Sequence, residues 1–253
     1  MRIISTSTTA PAARLAGAMY IGASVGFLLV FSWLAANFGY PDVLDGEAKD
    51  VLPALRALGN HGRAVWAIYA ILPLALLPAA AGAADALRTD DLRNEAVVRL
   101  GLLLQGVAAL CMTLGLARWS TAQWTLANAW PHANEAQRAA MAITFDALNA
   151  YLGNGIGEFV GEFALYGSFA AFAIALYRLE VRLLAAFAGV TAIAGWIGMF
   201  RNVTPMVQPA ADVTNVLLPL FLIAFGVALI RGRTASRDWP RRAPFASSAT
   251  VPR

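Results

Sequence analysis

The sequence predicts an all-α integral membrane bundle of six transmembrane helices with interfacial outer helices, and three observations carry that expectation. Of 253 residues, 59% are hydrophobic and 13% are charged, against roughly 25% charged in soluble domains. Mean hydropathy is +0.60. Six apolar runs approach or exceed the roughly 18–20 residues that cross a bilayer. Finally, the basic residues favour one set of alternate connections, as the positive-inside rule requires of a multi-pass chain.

The first run, Leu15–Ala36, follows Arg14 and is 22 residues long. A signal-peptide core is roughly 7–15 residues, so the run reads as a retained helix. The second, Ala64–Ala84, holds Pro73 and Pro78, which predict kinks. The third, Ala96–Ala117, holds Cys111, the single cysteine. No intrachain disulfide is open to it, and it reads as a packing thiol. The fourth, Ile156–Tyr177, carries Glu158 and Glu162. The fifth is Leu183–Phe200. The sixth, Val213–Ile230, is short and contains Asn215 and Pro219.

With the N-terminus inside, 13 of the 19 basic residues fall on inner segments. Six fall on outer ones: Lys49, Arg56, Arg63, Arg118, Arg138 and Arg201. The expectation is a multi-pass membrane protein with both termini cytoplasmic. Residues 1–13 are expected to be a disordered cytoplasmic N-terminus, 14–231 the transmembrane domain, and 232–253 a disordered basic cytoplasmic tail.

The outer connections are the long ones. Asn37–Arg63 predicts an amphipathic helix with Val51, Leu52, Leu55 and Leu58 on one side. In Arg118–Gly155, Asn134 and Gln137 resemble a capping pair. Met141, Phe145, Leu148 and Leu152 then recur on one helical face. A single helix over Glu135–Tyr177 would be roughly 65 Å long, against a hydrocarbon core of about 30 Å. The helix must therefore either project far out or break; Gly153-Asn154-Gly155 is the expected hinge, with the first half lying near the outer interface.

Carboxylates within a spanning helix are expensive and usually face the bundle interior. Glu158 and Glu162 are one turn apart and share a face. Arg118 and Arg201 end the third and fifth runs at the same expected depth, where Asn154, Asn202, Asp212 and His61 also fall. Pairing of either Glu with Arg118 or Arg201 is one reading; a site for a cation, proton or ligand amine is the other. Six of the seven tryptophans are outer by this topology. They form an interfacial belt, or, from Trp119 through Trp130, a roof over an outer pocket. Gly153, Gly157 and Gly161 make GxxxGxxxG, which serves packing within the monomer or a homodimer.

Two histidines, His61 and His132, without HxxxH or HExxH spacing give no reason to expect a metal or a haem. There is no P-loop or CxxC, and no cofactor is expected. The basic residues cluster in the tail, so membrane topology explains them and nucleic acid is not an expected partner.

Three segments carry a family resemblance: Phe38-Gly-Tyr-Pro-Asp-Val-Leu44, Leu116-Ala-Arg-Trp119 and Tyr151-Leu-Gly-Asn-Gly-Ile-Gly-Glu158. Together they resemble a family of bacterial six-helix membrane proteins grouped as a domain of unknown function (number forty-three eighty-six). The resemblance covers roughly Arg14 to Arg231. It implies the six-helix fold and marks Arg118 and Glu158 as motif positions, and it implies no activity. Ser120-Thr-Ala-Gln-Trp124 departs from the proline-containing stretch that follows the arginine-aromatic pair in the family.

The functional expectation is a non-enzymatic protein with an outer-facing polar pocket that binds or moves a small amphiphile or lipid. Its polar cluster would comprise Glu158, Glu162, Arg118, Arg201, His61, Asn154 and Trp119. Expected partners are membrane lipid and a small amphiphilic ligand, with Gly153, Gly157 and Gly161 as a candidate homodimer contact. The alternatives are a membrane-embedded enzyme using Glu158 or Glu162 with His61 as an acid–base pair, and a structural membrane subunit.

Overall fold

A computed structural model describes residues 9–89 and 91–232, and among these every regular element is helical. Six helical runs are long and apolar enough to cross a membrane: Pro11–Phe38, Gly59–Leu87, Leu92–His132, Glu135–Arg178, Arg182–Asn202 and Pro205–Ile230. Each contains one of the six predicted runs. Thr9–Ala13, expected to be disordered, already belongs to the first helix. The disorder expected for 1–8 and 233–253 lies outside the described residues.

The first span is α1 (Thr9–Phe38). A short helix, α2 (Ala48–Ala57), follows it, with Val51, Leu52 and Leu55 buried as the periodicity predicts. The second span is α3 (Gly59–Ile71) and α4 (Leu76–Leu87), joined by a 3-10 turn at Leu72–Ala75 that contains Pro73. Proline removes a helical N–H and clashes with the preceding turn, so the helix tightens there instead of continuing.

The third span is α5 (Leu92–Ser120), continued by α6 (Ala122–Ala129). Asp91 caps α5 by accepting from the Arg93 N–H at 3.0 Å, and Glu95 receives both Arg88 (3.1 Å) and Arg99 (2.7 Å). The fourth span begins with α7 (Glu135–Leu148), whose first turn is closed by a capping box between Asn134 and Gln137. It ends with α8 (Gly161–Arg178). The last two spans are α9 (Arg182–Gly198) and α10 (Gln208–Ile230), with Pro219 inside α10.

The expected break at Gly153-Asn154-Gly155 does not occur. The chain stays helical from Glu135 to Arg178, and Asn149–Val160 widens into a π-helix. The wide turn keeps each backbone N–H bonded within the helix, which apolar surroundings require. The first part of this continuous helix is α7. It projects past the span and packs on α2 and α6, forming a helical cap at the end of the bundle away from α1's start and α10's finish.

Two apolar clusters result. One fills the termini end and includes Tyr20, Phe169, Phe172, Phe221 and Phe225. The other joins the cap to the bundle through Phe38, Leu52, Trp66, Trp119 and Phe145. In lipid no hydrophobic force presses helices together, so close packing must hold them. Two glycine pairs supply it. A Cβ on Gly115 of α5 would stand 2.7 Å from the Gly157 Cα, and one on Gly226 would stand 2.6 Å from the Gly17 carbonyl oxygen.

Candidate functional site

A cavity of about 380 Å³ lies where the two clusters meet, and all six spans contribute to its wall. Ala23, Leu76, Leu165 and Leu222 belong to one cluster, Tyr69 and Trp119 to the other. The lining is mainly apolar along α1 and α10, through Phe27, Leu28, Phe31, Leu218 and Leu222, with Ser24 and Asn215 as the polar side chains there. Toward the cap it becomes polar, with Arg118, Glu158, Glu162 and Arg201.

Arg201 stands in the 3-10 turn Met199–Asn202 that ends the fifth span. Its Nη1 donates to Glu162 Oε2 at 2.7 Å and its Nη2 to Glu162 Oε1 at 2.8 Å. This is the two-pronged fit of a planar guanidinium to a carboxylate. Nη2 also reaches Glu158 Oε2 at 2.8 Å, and Asn202 Nδ2 donates to that same oxygen at 2.6 Å. One arginine thus ties the π-helix, α8 and the end of the fifth span together.

Arg118 behaves differently. It is 5% exposed, and among the described residues no carboxylate lies within 4.0 Å of it. Its Nε donates to Asn149 Oδ1 at 3.0 Å and its Nη1 to the Gly115 carbonyl. Gln123 Nε2 shares the Asn149 oxygen at 3.0 Å. The guanidinium carbon lies 5.2 Å from the centre of the Trp119 ring, which stacks on Trp66 at 4.9 Å. Gly153 makes room for the group, since a Cβ there would come within 2.6 Å of Arg118 Cζ. Tyr40, in the connection after α1, also lines the cavity; desolvation pushes its hydroxyl above the usual tyrosine pKa, so it stays a neutral donor.

The pairing foreseen for either Glu with Arg118 or Arg201 is therefore realised by Arg201 alone, with both carboxylates. Glu158, Glu162, Arg118, Arg201 and Trp119 share the cavity, whereas His61 and Asn154 do not line it. His61 is exposed and meets the Trp33 ring edge-on at 5.2 Å. Equal depth along helices on different sides of the bundle does not bring side chains together. The Glu–His acid–base pair is accordingly not assembled. Asp212 is taken by Gln208 at 2.8 Å. Trp124 and Trp130 line a separate cleft with Arg56 and Arg138 and do not roof the cavity.

The glycine motif faces α5 of the same chain. Gly153 abuts Arg118, Gly157 abuts Gly115, and Gly161 lies against Cys111 and Met112. A homodimer through these residues would have to displace α5, so the motif serves the monomer's own packing.

Sequence reasoning missed Asn149 and Gln123, which hold Arg118 directly and through the shared Asn149 oxygen, and it noted Asn215 without placing it in the polar cluster, although Asn215 lines the cavity. Both amides sit in a long polar connection where nothing in the pattern distinguishes them. Asn215 within an apolar run was a usable signal, since a lipid-exposed amide in a spanning helix is costly. Comparison with known proteins finds no matching family model, no similar curated protein and no similar solved structure.

Proposed function

We propose that this protein binds or moves a small amphiphile in a pocket that opens on the outer side of the membrane. The observation that carries the reading is one cavity with both required surfaces: aliphatic and aromatic walls along α1 and α10, and a charged end at Arg118, Glu158, Glu162 and Arg201. Its volume of about 380 Å³ suits a small ligand, for which pockets run roughly 300–1,000 Å³. Arg201 pairs with both carboxylates and His61 does not line the cavity, so the Glu–His acid–base reading is the less favoured one. The outward direction follows from the excess of basic residues on the segments at the other end.

The test is ligand-induced stabilisation of the purified protein in mild detergent. A ligand at a hundred times its Kd stabilises the folded state by about 2.7 kcal/mol. Leu28 is 46% exposed and lines the cavity, so Leu28→Trp should narrow the mouth without crowding the core. The variant should melt like the parent alone and lose most of the ligand-induced rise. An equal rise in both proteins would place binding elsewhere.

A further inference from the structure

We infer that the amphiphile carries a zwitterionic head, its anionic group on Arg118 and its ammonium group on Glu158, with its chain between α1 and α10. The inference rests on the amphiphile reading above and adds the ligand's class and pose. The charges facing the cavity form two unlike sets. Arg201 with Glu158 and Glu162 is one cation against two carboxylates, so that set carries one formal negative charge in excess. Arg118 carries one positive charge and, among the described residues, has no carboxylate within 4.0 Å. The sum is neutral, and both sets line one cavity without an Arg118–carboxylate contact within 4.0 Å among the described residues.

The free valences point the same way. Arg118 uses Nε on Asn149 and Nη1 on the Gly115 carbonyl, which leaves Nη2 without a hydrogen bond among the described residues. Glu158 spends Oε2 on both Arg201 and Asn202, and its Oε1 has no hydrogen bond among the described residues. Beside Arg118, the buried Trp119 indole N–H also lacks a partner. Isolated charges in a low-dielectric site are costly until an opposite charge meets them. A purely anionic head would satisfy Arg118 and face the carboxylate set unfavourably; a purely cationic head would do the reverse. A head with both charges satisfies both at once. Leu28 (46% exposed) and Phe31 (39% exposed) line the cavity and stand on the flank of the bundle, as does Asn215 of α10. The cavity therefore reaches the lipid-facing surface between α1 and α10, where a chain can enter from the bilayer.

Four single-chain lipids of one acyl length decide the matter by native mass spectrometry of the detergent-purified protein. They are lysophosphatidylethanolamine (zwitterionic), lysophosphatidylglycerol (anionic), an alkyltrimethylammonium (cationic) and a monoacylglycerol (neutral). The zwitterion should bind tightest, by roughly tenfold or more over each of the others, the scale of one charged hydrogen bond. Arg118→Gln should remove the advantage over the cationic lipid, and Glu158→Gln the advantage over the anionic one. Equal binding of all four by the parent protein would sink the zwitterion and leave the amphiphile reading standing. Binding of none would sink both. Tightest binding of the anionic or the cationic lipid would show that only one charge set is read and overturn the proposal, and this arm needs no variant to fold.

Discussion

Arg201 is the residue on which the charged end of the cavity depends. It holds Glu162 by two bonds and Glu158 by one, and its side chain is 22% exposed. Removing one partner of a buried ion pair typically costs roughly 3–5 kcal/mol, because the other charge is stranded. Arg201→Gln should therefore lower the melting temperature in detergent more than Glu162→Gln does, since it strands two carboxylates. The double variant Arg201→Gln/Glu162→Gln should lose less than the sum of the two single losses. The corresponding cycle between Arg118 and Glu162 should be close to additive, as the hydrogen bonds of Arg118 among the described residues go to Asn149 and Gly115. Additivity in the Arg201 cycle would show that the bonds contribute nothing to stability. At this scale the sequence was informative about which side chains are expensive, because charge in an apolar run is visible by itself. It was not informative about pairing. Arg118 and Arg201 have the same inferred depth, and only the rotation of each helix decides that one meets the carboxylates and the other an amide. His61 shows the same limit from the other side, sharing the depth and lying outside the cavity wall.

The fourth span is the element whose behaviour differs most from expectation. Gly153, Asn154 and Gly155 read as a hinge, because glycine and asparagine weaken a helix. What the pattern could not show is that α5 lies against the same segment. Gly157 there meets Gly115, and Gly153 accommodates the Arg118 guanidinium. The small residues are thus accounted for by close contact, and the helix widens instead of breaking. Gly157→Leu should disrupt the bundle, since a Cβ alone would already stand 3.0 Å from the Gly115 Cα. Gly161→Leu should be the milder change, since the nearest heavy atoms, Cys111 Cβ and Met112 Cγ, are 3.3 Å away and neither belongs to backbone. Equal yields and melting curves for the parent and Gly157→Leu would contradict the packing described. A second element carries strain of a different kind. Glu180, between α8 and α9, adopts φ 60°, a left-handed conformation that costs a side chain about 1–2 kcal/mol. Its pair with Arg182 is exposed, and such pairs contribute about 0–1 kcal/mol. Glu180→Gly should therefore raise the melting point by a few degrees; a fall would mean that the pair outweighs the backbone.

The six crossings were legible because the bilayer leaves a chain few choices: an apolar stretch of spanning length must form a helix, whatever its neighbours. The cap was partly legible, since Val51, Leu52 and Leu55 of α2 and Phe145 of α7 lie on apolar faces that periodicity reveals. That these faces meet one another around Trp66 and Trp119, rather than the membrane surface, depends on contacts distant in sequence. Orientation is the remaining property of the whole molecule, and it determines what the cavity can receive. Gly17 and Gly226 pack together near the start of α1 and the finish of α10, so both termini leave the bundle at one end. The other end carries the cap, toward which the charged part of the cavity lies. Basic residues divide 13 to 6 in favour of the segments assigned to the end with the termini, and the proposed cytoplasmic side rests on that excess through the positive-inside rule. Reporter fusions at Arg88 and after Arg253 should therefore both read cytoplasmic, while a fusion at Arg138 in the cap should read external. Six of the 13 lie from Arg231 onward, so a chain ending at Ile230 isolates their part: without them the division is 7 to 6, and orientation should become mixed. If the full-length chain reads external at Arg88, the cavity opens to the cytoplasm, and its lipid must come from the opposite leaflet.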